Sequence, residues 1–151
     1  MLSNAAQYAI RSILYLALYS NATQRVRAKK ISQDLEVPQP FLAKLLQRLG
    51  GADLVSSSKG PTGGFYLNKA NRNKTVWDII VTVDGTEKFN QCFLGLHTCS
   101  DTNPCPVHFS VSPFKQAIKK DFKGKTIAQF AEEIKKRGTV LSLKDFDALH
   151  E

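Results

Sequence analysis

Two short amphipathic segments followed directly by a glycine-laden turn leave this chain few folds to adopt. Residues 28–35 put Ile31 and Leu35 on one helical face, and residues 39–49 put Leu42, Leu45, Leu46 and Leu49 on another. Glu36-Val37-Pro38 separates the two. Pro38 and Pro40 stand at the start of the second, where a missing N–H costs little, and Gly50-Gly51 is expected to end it. Leu54 to Ser58 and Phe65 to Asn68 then read as strands around Lys59-Gly60-Pro61-Thr62-Gly63-Gly64, a run dense in turn formers. Helix, turn, helix and hairpin in this order predict a winged helix-turn-helix: mostly α, with one small β hairpin.

The flanking segments supply more helix. Asn4 to Ser20 carries Ala6, Ile10, Ile13, Leu14, Ala17 and Leu18 on one face and Tyr8, Tyr15 and Tyr19 on a second, so it is expected to be buried on both sides. Asn4, with Gln7 three residues on, is its expected cap. Thr75 and Asp78 stand in capping-box register before a helix to Val83, and Thr126 and Gln129 do the same before a helix to Arg137. Val107, Val111, Phe114 and Ile118 recur at helical spacing. Residues 85–106 have no periodicity.

The net charge is +8, and it is uneven. Residues 1–70 hold nine Lys/Arg against three acids, whereas residues 71–151 hold twelve against ten. A basic N-terminal region suits a polyanion such as double-stranded DNA. On the second short helix the apolar residues turn inward and leave Gln39, Phe41, Ala43, Lys44, Gln47 and Arg48 outward, where polar side chains reach base edges or phosphates. In the turn, Gly60 permits close approach to a sugar–phosphate backbone, and Lys59 can pair with phosphate or enter a minor groove. A nucleotide-cradling loop is excluded, because a strand rather than a helix follows these glycines and no Lys-Ser/Thr pair closes the motif. No acid–base pair stands out either, which argues against an enzyme. No basic segment precedes the first apolar stretch and no run is long enough to span a membrane, so a cytoplasmic setting with reduced thiols is expected.

All three cysteines lie in the aperiodic stretch. Cys92, Cys99, Cys105 and His108 form C-x6-C-x5-C-x2-H. Three thiolates and an imidazole can close a four-ligand metal site, and this is also a common structural zinc set. The same cysteines could instead be redox-active thiols that form a disulfide, or be inert.

The run from Ile31 through Leu67, with LVSSSKGPTGGFYL as its strongest part, resembles the Rrf2 family of bacterial winged-helix regulators. The likeness extends to Tyr8-Ala9-Ile10, to Val76 through Asp84, and to a cysteine loop before a long helix. It implies a homodimer on imperfectly palindromic operators, joined through the helix after the loop. It implies that Pro38, Gln39, Pro40, Phe41 and Lys44 face the major groove and that Lys59 and Gly60 approach the minor groove. It further implies an iron–sulfur cluster ([2Fe–2S] or [4Fe–4S]) on Cys92, Cys99 and Cys105, with His108 matching the histidine of some cluster-binding members. The organisation expected is a DNA-binding domain at 1–84, a sensing loop at 85–106, and a dimerisation helix with a C-terminal helix at 107–151.

The chain departs from that pattern in places. Ala43 stands where some cluster-binding members carry glutamate. The first cysteine gap is one residue longer. Gln7 and Tyr8 occupy the region that supplies an acidic ligand in nitric-oxide-sensing members. Pro113 is expected to kink the dimer helix or delay its start to Ser112, which would loosen His108 and make His97 a substitute ligand. The function expected is a transcriptional regulator responding to cluster status through redox, nitric oxide or iron supply. The alternatives are a metal-free thiol- or ligand-responsive regulator of the same fold and, with least support, an iron–sulfur carrier or enzyme.

Overall fold

The computed structural model describes residues 1–142. Its first helix, α1 (Asn4–Tyr19), is the axle of the core, with Ala6, Ala9, Ser12, Ile13, Leu14, Tyr15, Leu16 and Ala17 all buried. Tyr19 stays 60% exposed, so the second face is only partly covered. The cap is Ser3 rather than Asn4: its Oγ accepts from the Ala6 N–H at 3.0 Å. The Ser3 N–H donates to Asp84 at 2.9 Å, and the Ser3 hydroxyl also donates to that carboxylate. A partner 81 residues away therefore does what Gln7 was expected to do, and Gln7 bonds the Leu2 carbonyl instead.

Helices α2 (Ala28–Leu35) and α3 (Gln39–Gly51) form the helix-turn-helix, with Ile31, Leu35, Leu42, Leu45, Leu46 and Leu49 turned inward as expected. Glu36 takes the left-handed conformation between them (φ 57°). Gly50 and Gly51 remain helical; the chain reverses at Asp53 (φ 59°), where the Leu54 N–H returns to the Leu49 carbonyl. Strands β1 (Ser56–Ser58) and β2 (Gly64–Tyr66) pair antiparallel, shorter than the sequence suggests because Leu54, Val55 and Leu67 turn into the core. Val26 adds a bridge to Phe65 on the far side of β2. The close packing explains two glycines. A Cβ on Gly63 would lie 2.4 Å from the Ser58 carbonyl oxygen, and one on Gly64 (φ 147°) would lie 2.8 Å from the Val26 backbone.

A short helix that the sequence did not announce, α4 (Lys69–Arg72), follows, with Asn68 and Asn71 in a reciprocal capping box. Arg72 donates to the carbonyls of Ala17 and Ser20, fastening it to the end of α1. The next helix, α5 (Val76–Asn90), starts at the expected Thr75–Asp78 box but runs past Val83. It is broken at Gly85 (φ 73°), and one further helical turn carries buried Phe89 against Trp77 at 5.2 Å. The loop proper therefore begins at residue 91 rather than 85.

Helix α6 (His108–Gly124) begins five residues before Pro113, which neither delays nor ends it. Phe109 and Pro113 are both exposed, so water can take the carbonyl the proline leaves unbonded. No residue of α6 is buried, and Phe109 (66%) and Phe114 (60%) are exposed; of its apolar side chains Ile118 and Phe122 reach the small cluster of Val76, Trp77, Ile80 and Phe89. Helix α7 (Ile127–Arg137) opens at the expected Thr126–Gln129 box, closes on left-handed Gly138, and buries Ile127 and Ala131 against α1. It belongs to the core of the winged helix rather than to the arm. The expected segment beyond residue 142 lies outside the described residues. Among the described residues no helix is long and apolar enough to cross a membrane.

Candidate functional site

The surface suited to DNA is built from α3 and the wing. Pro38, Gln39, Pro40, Phe41, Lys44 and Arg48 are all exposed, with Ala43 half-buried among them. Their leucine-lined opposite face is sunk in the core, so the helix has one way to sit. Phe41 is not wholly outward: its ring meets Tyr8 edge-on at 5.7 Å. Lys59 and Gly60 are exposed at the tip of the wing, and Gly60 has φ 99°. The N-terminus of α3 carries no acid in its first turn, which leaves its free N–H groups and dipole to attract phosphate.

Arg27, which sequence reasoning left among the general positive charge, fixes the wing. Its guanidinium donates to the carbonyls of Gly60 (3.1 Å) and Pro61 (2.7 Å). As the N-cap residue of α2, it sets the hairpin tip relative to the helix-turn-helix. No local pattern could reveal this, because its partners lie 33 and 34 residues away.

The second site is the cysteine cluster. The Sγ atoms of Cys92, Cys99 and Cys105 lie within 4.8 Å of one another. Cys105 is buried and the other two are half-buried. Cys92 follows the end of α5 and Cys105 precedes α6, so two helices frame the site. The intervening loop is internally tied: Gly95 donates to the Cys92 carbonyl, Ser100 pairs with Asn103, and the Asn103 side chain holds Thr98. Lys115 of α6 donates to the Gln91 carbonyl across it.

His108 is the first residue of α6, its N–H bonded to the Cys105 carbonyl. Its Nδ1 lies 3.3 Å from Cys99 Sγ, and its Nε2 lies 2.8 Å from Asp101 Oδ1. The expectation that Pro113 would loosen His108 is corrected, because the helix start carries it to the thiols. His97 is exposed and does not line the cavity of about 250 Å³ at the cysteines. Asp101 was not foreseen. It bonds the outer nitrogen of the imidazole, which directs the other nitrogen inward, as carboxylate partners of metal-binding histidines do.

Cys92 and Cys99 differ electrostatically. The backbone N–H of Leu96 chiefly, with help from Leu94 and the neighbouring thiols, holds Cys92 down to about 7 against the opposing effect of burial. At Cys99 a backbone bond from Cys105 favours the thiolate, but burial and the two neighbouring cysteines outweigh it and raise the pKa. Of these two, Cys92 is the one that becomes a thiolate first. Lys115 and Lys119 line the same cavity, with Lys119 also over the Trp77 ring at 5.0 Å. Three sulfurs, one oriented imidazole and nearby ammonium groups suit a thiolate-bound metal ion or an anionic iron–sulfur cluster.

A family profile described as "Rrf2: Iron-dependent Transcriptional regulator" matches residues 2–133. A protein named as an HTH-type transcriptional regulator in Aquifex aeolicus is 39% identical over 127 residues, covering 83% of this chain and 87% of that one. The HTH-type transcriptional regulator IscR of Escherichia coli is 32% identical over 107 residues, covering 71% and 65%. Among solved structures, CymR, the global cysteine regulator of B. subtilis, aligns with TM-score 0.68 at 22% identity over 88% of this chain and 97% of that one. T. potens IscR aligns with TM-score 0.68 at 21% identity over 93% and 92%. These structural likenesses speak for the winged-helix fold.

Proposed function

The chain belongs to the Rrf2 family of DNA-binding transcriptional regulators, which are not enzymes, and from that premise we propose a homodimeric, cytoplasmic regulator of palindromic operators that responds to an iron–sulfur cluster. Cys92, Cys99 and Cys105 are its sulfur ligands and His108 its fourth ligand. The observation that carries this reading is the convergence of three sulfurs within 4.8 Å with the His108 ring at 3.3 Å from one of them. When bound, the cluster would supply a redox- and ligand-sensitive group; the protein contributes the thiolate charge, the oriented imidazole and the framing helices.

DNA reading falls to Gln39, Phe41, Lys44 and Arg48, with Pro38 and Pro40 opening the helix, and to Lys59 and Gly60 on the wing. Dimerisation falls to α6, whose exposed Phe109 and Phe114 lack partners of their own in the core. Anaerobic purification with iron and sulfide analysis, an absorption spectrum, and operator binding before and after exposure to air or nitric oxide tests the reading. A protein without iron after reconstitution, or one with equal operator affinity in both states, overturns it.

A second reading has one observation behind it. Tetrahedral zinc, with Zn–S near 2.3 Å, brings thiolates to about 3.8 Å apart, and the compact spread of these sulfurs suits a single ion as well. Zinc at one ion per chain with no sulfide would select it.

A further inference from the structure

A cavity of about 950 Å³ lies apart from the cysteine site. It lies between the end of α1, the segment leading into α2, α2 itself and the wing. Tyr15 and Tyr19 form one wall, their rings 4.9 Å apart, and Pro61 to Gly63 form the other. Arg25, Arg27 and Lys30 give it positive charge against a single acid, Asp34.

Most of these groups are engaged. Asp34 accepts from the Tyr15 hydroxyl at 2.5 Å and from Lys30 at 3.0 Å, and Arg27 is spent on the wing carbonyls. Arg25 differs. Its guanidinium sits 5.5 Å over the Tyr66 ring, yet its Nε is buried with no hydrogen-bond partner among the described residues. A buried donor left unmet on a half-buried cation is costly, and the natural complement of a guanidinium is an oxyanion.

We propose that this groove binds a small organic anion, a carboxylate on a planar apolar body, with the carboxylate on Arg25 and the ring against Tyr15 and Tyr19. The volume falls at the upper end of the range for small-molecule sites, about 300–1,000 Å³. Tyrosine faces offer little to a sugar–phosphate chain and much to an aromatic ring. Because the wing and α2 are its walls, an occupant acts on the DNA-reading surface; this last step rests on the regulator reading, whereas binding itself does not.

The test is an NMR titration of the full chain with 2-hydroxybenzoate, following the Arg25 side-chain N–H and the Thr62 and Gly63 amides. Saturable shifts at all three are expected. Arg25→Gln, read at the Thr62 and Gly63 amides, should weaken binding about ten- to a hundredfold. Tyr19→Ala, at an exposed ring unneeded for folding, should weaken it about three- to tenfold. Three results would overturn the proposal. The first is no saturation at millimolar probe. The second is inorganic phosphate binding equally well at the same groups, which would make this a bare anion hole. The third is a non-operator duplex displacing the probe and itself losing affinity in Arg25→Gln, which would make Arg25 part of the DNA grip. None of these readouts needs a metal or an operator, so a colourless protein leaves the test intact.

Discussion

The winged-helix head and the cysteine arm are held together in different ways. The head is over-determined: α1 is buried along most of its length, and α2, α3, α5 and α7 all pack on it. The arm is under-determined. Helix α6 buries nothing fully, and its loop exposes Phe93, Leu94 and Leu96. A region that completes its own core is a fixed tool, and one that does not has its geometry left to whatever binds it. The head can therefore keep its reading surface whatever geometry the arm takes.

The sharpest break of this comparison is Cys105→Ala, the buried member of the triad. Metal or cluster content should fall to near zero, a loss on the scale of about 10 kcal/mol for a thiolate site, while the head keeps its far-UV dichroism and melting. Ile13→Ala is the converse. It should cost about 2–5 kcal/mol in denaturant unfolding without removing a single ligand atom. If the two variants lose metal and stability in parallel, head and arm are one unit and the contrast fails.

Smaller changes sharpen the comparison. Asp101→Asn should lower metal affinity about 10- to 100-fold, measured by chelator competition, with unfolding midpoints unchanged. Arg27→Ala should weaken operator binding about tenfold with the melting temperature preserved, because it frees the wing tip but touches no core residue; Lys44→Ala should instead reduce the salt slope by about one. Smallest in energy is the order of thiol modification. In metal-free protein Cys92 should be alkylated first, its rate half-maximal near pH 7 and rising with pH as thiolate forms, with Cys99 lagging behind. Mass mapping that finds Cys99 first would contradict the charge order within the triad.

Much of the head was legible because its signals are local. The leucine spacing of α3, the glycines of the wing and the Thr–x–x–Asp and Thr–x–x–Gln boxes all work within a turn or two of sequence. The three thiols were legible for the same reason. Two contacts escaped because they are long-range: Ser3 caps α1 with help from Asp84, and Arg27 holds the wing from 33 residues upstream of Gly60. Asp101 escaped for another reason: it lies only seven residues before His108, in a loop with no periodicity to place it. The delay expected at Pro113 does not occur because α6 is exposed on that side, and the helix expected to run to Val83 resumes for one turn past Gly85.

The placement of α7 bears on how the protein is made. Thr126 bridges Thr75, and the Ile127 N–H bonds the Lys74 carbonyl, so the whole path through α5, the cysteines and α6 is an excursion that starts and ends at one point. The last helix of the described chain covers the first. On the ribosome, the part of α1 that α7 covers waits until about residue 137 has emerged. By then the three cysteines are already synthesised, so their loop is complete before the last helix closes the head.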